Sequence, residues 1–267
     1  MVGGHRRDYL DRDALTGMAM PMSSPGAVTR PSTRRRFLSA EWRNLLMLNY
    51  VVPPSLLVPY VPRGTELDLR DGQAWLSLVA FQFLRTRVLG VPVPLHVNFE
   101  EVNLRFYVRR PMGREARRAV VFVRELVPRP AIAAVARTLY NEAYESAPMK
   151  SQVTGQPPHV RYSWFTGTAW DSVEGQAIGE ASLPDEGSHE ASITEHNWGY
   201  TKQRDGGTVE YRVEHPRWPV WRAEQVRVNA NLERLYGRLF ASEMIAPVTA
   251  FVAEGSQVTV SRPVRIC

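Results

Sequence analysis

The sequence predicts an α+β domain rich in strands, a curled antiparallel sheet or barrel with a few short helices. Three observations carry this. Within residues 99–109, Glu101 to Val108 alternate polar and apolar side chains, the period of a strand with one face toward a core. Asp71-Gly72 and Asp205-Gly206-Gly207 each lie between two apolar runs, a signal for tight hairpins. Helix signals are few and short, while strand-like runs recur along the whole chain.

Taken in order, Ser39 can cap a short helix that starts at Ala40-Glu41-Trp42. Residues 45–52 read as a buried strand. Pro53-Pro54 suits the first turn of a helix over 55–60. Strands at 65–69 and 74–83 flank Arg70-Asp71-Gly72-Gln73, and a proline-rich loop follows at 90–94. In the strand 99–109, Val102, Leu104, Phe106 and Val108 alternate with Glu101, Asn103, Arg105 and Tyr107. A polar turn at 110–118 leads to a returning strand at 119–127. Pro130 opens a helix to about 140, with Ile132, Val135, Ala136 and Leu139 on one stripe. Further strands are expected at 160–165, 169–173, 177–180, 198–204, 208–213 and 221–228. Asn229 or Asn231 caps a helix to about 242, and strands at 248–253 and 257–260 finish the chain.

The 267 residues are 44% hydrophobic and 22% charged, a globular balance that allows one large domain. The net charge of +6 suggests nucleic acid until it is located. Residues 1–36 hold seven Arg against three Asp and so carry +4 of it. They lack apolar periodicity and read as a disordered basic tail, with a single domain over 37–267. The body is nearly neutral, so no nucleic-acid partner is expected. Thr33-Arg34-Arg35-Arg36-Phe37-Leu38 has the look of a twin-arginine signal, but Glu41 and Arg43 interrupt the apolar stretch such a signal needs. The most apolar run, 45–61, is broken by Pro53, Pro54 and Pro59, so no membrane span is expected either. The one cysteine is Cys267, which predicts a reducing, cytoplasmic setting.

Three groups of residues carry chemistry. Glu101, Asn103, Arg105 and Tyr107 share one face of one strand. Arg105 could grip a carboxylate bidentately and Glu101 could move a proton, with Asn103 and Tyr107 as orienting donors. The same spacing also fits a solvent-facing strand with a cross-strand ion pair. Lys150, beside Pro148-Met149, is a candidate Schiff-base nucleophile or an exposed lysine at the start of a strand. Glu195-His196-Asn197-Trp198-Gly199-Tyr200 mixes aromatic and polar groups, so His196, Trp198 and Tyr200 read either as pocket lining or as aromatic core, with His215 placed to join them. His189 and His196 are seven apart, and no H-x-x-x-H or C-x-x-C occurs, so no metal site is expected. Walker A, G-x-G-x-x-G and G-x-S-x-G motifs are absent as well, so no cofactor is expected.

Four stretches resemble the YqjF-like family of bacterial proteins of unknown function. They begin at Tyr60-Val61-Pro62-Arg63-Gly64, Phe99-Glu100-Glu101-Val102-Asn103, Glu195-His196-Asn197-Trp198-Gly199 and Val213-Glu214-His215-Pro216-Arg217-Trp218. The resemblance runs from about residue 37 to 266. It implies a fold similar to acetoacetate decarboxylase, a curled antiparallel β-structure around a small-molecule cavity, and oligomers as in that superfamily. It also implies a Schiff-base lysine in a Gly-aromatic-Pro-Lys-Lys segment after a helix. That segment is absent here: the chain reads Tyr140-Asn141-Glu142-Ala143-Tyr144, with Lys150 the nearest lysine and no paired lysine to lower its pKa. The superfamily's catalytic glutamate, in an aromatic-x-Glu context, resembles Phe99-Glu100-Glu101 and places Glu101 toward the cavity. Two readings stand: an organic-acid pocket with lyase-like chemistry, and a non-catalytic ligand-binding or sensor module on the same fold.

Overall fold

The computed structural model describes residues 35–92, 94, 96–130, 141 and 143–267. All but the first residue of the helix expected over 130–140, and all but the last two residues of the expected tail, lie outside the described residues.

Fifteen strands follow one another among the described residues: β1 Arg36–Val52, β2 Glu66–Leu67, β3 Ala74–Val88, β4 Val91–Pro92, β5 Phe99–Met112, β6 Glu115–Val127, β7 Tyr144–Ser146, β8 Met149–Thr154, β9 His159–Phe165, β10 Trp170–Ser182, β11 Trp198–Lys202, β12 Thr208–Glu214, β13 Val220–Asn229, β14 Thr249–Ser261 and β15 Val264–Arg265. The helices are short: α1 Pro54–Leu57, continued by a 3-10 turn at Val58–Tyr60, then α2 His189–Thr194, α3 Leu232–Tyr236 and α4 Arg238–Glu243. No helix among the described residues is long and apolar enough to cross a membrane.

Seven strands form a closed circuit. β12 pairs with β11, β11 with β6, β6 with β5, β5 with β3, β3 with β1, β1 with β14, and β14 returns to β12. Each pairing is antiparallel except β6–β11. Closure removes the free edges of the ring and leaves an inside and an outside. From β14 the sheet also continues through β13, β10, β9 and β8.

This arrangement buries both faces of β5. Val102, Leu104, Phe106 and Val108, each fully buried, pack into a core with Leu46, Leu78, Tyr162 and Trp164. Burial of each such side chain contributes about 1.5–3 kcal/mol. The other face points into the ring, among Met47, Val79, Phe81 and Val120. Glu101, Asn103 and Arg105 are therefore interior residues, at 3%, 2% and 8% exposure, rather than members of a solvated strand.

The helix expected at residue 40 is part of β1. Two neighbours, β3 and β14, pair with this stretch along its length and override a modest local helix preference. Glu41, read as a helix-start residue, instead takes the Arg85 guanidinium at 2.6 Å from the adjacent strand. Asp71 and Gly72 both have positive φ, as a type I′ turn requires, and Arg70 pairs with Gln73 across it. The strand before that turn departs from expectation, since β2 pairs with β5. The runs expected as 248–253 and 257–260 form one strand, β14, in which Gly255 takes φ +82° and a Cβ would strike the Trp42 carbonyl. Asn231 caps as expected, accepting from the Arg234 amide at 2.9 Å, but Gly237 (φ +85°) divides the helix in two.

Candidate functional site

The ring encloses a cavity of about 240 Å³. Cross-strand register sets its two ends. At one end, Trp42 pairs with Phe83 and Phe83 with Phe99, so three aromatic side chains stand side by side on three strands. Phe83 and Phe99 stack at 4.6 Å, and Trp42 meets Phe81, Phe83 and Trp218 edge to face. His215, the residue placed by sequence near the pocket, lines the cavity and stacks on Trp218 at 4.0 Å.

Toward the other end the wall becomes polar. Glu101, Asn103 and Arg105 project from β5, and Glu125 projects from β6 opposite Asn103. Asn103 donates to Glu101 Oε1 at 2.9 Å, and the Tyr144 hydroxyl donates to Oε2 at 3.4 Å. Helix α2 closes this end, capped by Ser188, which accepts from the Ala191 amide. Ile193 enters the interior cluster, and Thr194 and His196 reach the cavity wall.

Arg105 stands out electrically. Its guanidinium reaches the Ile193 carbonyl at 3.4 Å and Met47 Sδ at 3.9 Å, and its Nε has no hydrogen-bond partner. It makes no ion pair among the described residues, and it is the one permanent cation on the described cavity wall. His196 does not share that role. Burial first, then the Arg118 and Arg105 charges, hold its pKa at about 4, against the pull of Asp68, so the ring is neutral at pH 7. Its Nε2 is 3.8 Å from Asp68, beyond hydrogen-bond reach. Burial would raise the Asp68 carboxyl, but its contacts with His196 and Arg118 outweigh this and keep it at about 2.

Of the other residues named from sequence, Tyr107 backs the wall rather than lining the cavity. Its ring lies 4.6 Å from His196, and its hydroxyl meets Ser77 Oγ at 2.6 Å. Ser77 donates its one proton to Asn49 Oδ1, so Tyr107 donates to Ser77. Trp198 and Tyr200 face the opposite way. The residue between them, Gly199, faces inward opposite Tyr211, whose ring occupies the space a Cβ would take. Tyr200 donates instead to Glu210, a fully buried carboxylate that also receives Arg110 and Arg117, and Trp198 lies under Arg117. Lys150 is exposed on β8, its Nζ 4.2 Å from the Trp170 ring, and Lys202 is exposed with its Nζ on the Pro59 carbonyl. These are the only lysines in the chain, so the cavity has none.

Glu125 was not found from sequence. In β6, register shifts by one residue opposite Leu104 and Arg105, so Phe122 and Glu125 both point inward although they are three apart. Strict alternation would have sent Arg124 inward; it lies outside, paired with Glu145 at 2.6 Å.

Comparison with known proteins gives the context. The DUF2071 family model, described as an uncharacterized conserved protein, matches residues 39–257. The chain belongs to this family. YqjF of Bacillus subtilis is 32% identical over 115 residues, covering 43% of this chain and 46% of YqjF, so the match spans under half of that relative. The fold is that of acetoacetate decarboxylase-like proteins. Acetoacetate decarboxylase from Legionella pneumophila superposes with a TM-score of 0.59 at 13% identity, covering 97% of this chain and 98% of that one. An acetoacetate decarboxylase-like enzyme from Sphingomonas wittichii gives 0.58 at 12% identity, over 87% and 94%. The enduracididine biosynthesis enzyme MppR complexed with pyruvate gives 0.59 at 11% identity, over 93% and 96%. At these identities the likeness is one of fold. This DUF2071 chain shares the barrel and has no lysine inside it.

Proposed function

We propose that the barrel cavity binds a small organic acid, with the carboxylate on Arg105 and an apolar body among Trp42, Phe83, Phe99 and Trp218. The observation that carries this is the Arg105 guanidinium, buried beside an apolar cavity with no carboxylate partner among the described residues. A buried cation without a counter-ion is costly, and a carboxylate ligand supplies both the charge and the paired acceptors. The pyruvate complex of MppR shows a small carboxylate bound by a protein of similar fold. Glu101, held by Asn103 and Tyr144, is the group positioned to move a proton on such a ligand. A lysine imine is not part of this reading, because Lys150 and Lys202 both lie outside the cavity. A cytoplasmic setting fits the single cysteine.

The test is thermal unfolding and calorimetric titration with 3-phenylpropionate against 3-phenylpropanol, which shares its frame and lacks the charge. The acid is expected to stabilise the protein by about 2.7 kcal/mol at a hundred times its Kd, roughly 5–10 °C in melting temperature. Arg105→Met should remove that gain. An alcohol that stabilises as well as the acid, or an Arg105→Met protein that keeps the gain, would refute the proposal.

A further inference from the structure

We infer that the open end of the barrel docks on the surface of a bilayer that contains anionic lipids, a peripheral contact made without any segment crossing. The cavity lining shows which end is open. Arg105, Asn103 and His196 at the polar end are buried, whereas Phe37, Leu38, Val88, His96 and Val260 are half-exposed. Pairing brings these residues together: Leu38 lies opposite both Val88 and Val260, where β1, β3 and β14 run side by side. At this mouth β3 turns into β4 through Leu89 and Gly90, with Val88 paired to Val91 across the turn. Both turn residues have positive φ, +52° and +85°, the geometry of a type I′ hairpin. Asparagine and glycine are the usual pair there, and a leucine at the first position is neither favoured by the backbone nor held by the core. Leu89 is 56% exposed and Val91 is 64% exposed, so the lip of the cavity presents hydrocarbon to its surroundings.

Charge identifies the surface that this lip meets. Arg35, Arg36, Arg87 and Arg262 are all exposed on the same strand ends: the Arg262 amide donates to the Arg35 carbonyl, Arg36 pairs with Ser261, and Arg87 pairs with Pro92 beside the turn. None of the four makes an ion pair among the described residues. The acidic side chains on the neighbouring stretches are already matched, Glu41 with Arg43 and Arg85, and Glu214 with Arg212. Two exposed aliphatic side chains at a hairpin tip, flanked by four uncompensated guanidinium groups, complement an anionic headgroup layer over hydrocarbon. The cavity mouth would then lie against lipid.

The test is co-sedimentation of the full chain with vesicles of phosphatidylcholine alone and of equimolar phosphatidylcholine and phosphatidylserine. The anionic vesicles are expected to bind the protein, more weakly as salt is raised, and the neutral ones to leave it in solution. Residues 1–34 carry arginines too, the same in every variant, so the variants are read against wild type. Arg36→Gln with Arg262→Gln should weaken binding about thirtyfold, at about fivefold for each charge near the surface. Leu89→Asn should weaken it about tenfold while leaving the urea midpoint unchanged or higher, because asparagine suits the turn. Should Leu89→Asn lower that midpoint, the arginine pair decides alone. No binding to anionic vesicles, equal binding to neutral ones, or variants that bind like wild type would each overturn the inference, and none of these bears on what the cavity holds.

Discussion

Replacing Arg105 with methionine is expected to make the empty protein more stable while depriving it of its ligand. The magnitude follows from the contacts. Arg105 is 8% exposed, its Nε has no partner, and its two remaining contacts, at 3.4 and 3.9 Å, are long. An unsatisfied buried donor costs about 1–3 kcal/mol, and more when charged. Methionine keeps most of the aliphatic stem and brings a thioether next to Met47. Against this stands the loss of the guanidinium's contact with the Tyr107 ring, 5.9 Å from its centroid. That contact is worth up to about 1 kcal/mol. The net expectation is a gain of about 1–2 kcal/mol, or roughly 2–8 °C in melting temperature for a domain of this size. Urea unfolding of both proteins without ligand, paired with titration of 3-phenylpropionate, reads both halves. A variant that is destabilised by more than about 1 kcal/mol would make Arg105 a structural residue and undercut the argument from its unpaired charge.

Other expectations follow from the same structure. His196 is held at about 4 in the folded protein against an ordinary 6.5, so the unfolded chain binds its proton first. Stability should fall as pH drops from about 6.5 to about 4, by about 3 kcal/mol from this group. His189 and His215 are also lowered by burial and act in the same direction, so the urea midpoint is compared between wild type and His196→Asn across that window; parallel curves would contradict the assignment. Borohydride with a pool of α- and β-keto acids should leave the intact mass unchanged, and a covalent adduct would restore an imine mechanism. Gly199→Val should cost about 1–3 kcal/mol in chemical unfolding, because the new side chain displaces the Tyr211 ring. Glu210→Gln should cost about 2–3 kcal/mol, below the usual figure for a fully buried pair because Arg110 and Arg117 can turn to water; an unchanged urea midpoint would show that the cluster contributes nothing.

The sequence made β5 plain because its two faces differ in chemistry at every step, and the same alternation named Glu101, Asn103 and Arg105 together. It did not say that the polar face turns inward, because ring closure depends on pairs far apart in the chain, such as Val213 with Val260. Glu125 was hidden by a single extra residue in β6, a shift that alternation cannot register. Trp198 and Tyr200 were assigned to the pocket for their chemistry, yet the small residue between them was the informative one: Gly199 faces inward so that Tyr211 can lie across it. Lys150 drew attention by nearness in sequence to an expected nucleophile position, and its place on β8 puts it on the outside of the molecule. Helix α2, six residues long, was too short to show a 3.6-residue stripe.

The circuit of strands is uneven in its fastening. β1 meets β3 and β14 along most of its length, whereas the β11–β12 hairpin joins β6 through two residue pairs and β14 through two. That hairpin behaves as a panel set in a frame, latched from outside by Glu210 to Arg110 and Arg117 and carrying Tyr211 and Val213 on its inner side. Few ladder bonds must break for it to swing, so its amides should exchange with solvent well before those of β5. Among the described residues, the most lightly fastened seam of the ring is thus also one wall of the cavity, so opening there would expose the interior and leave β1, β3 and β5 paired.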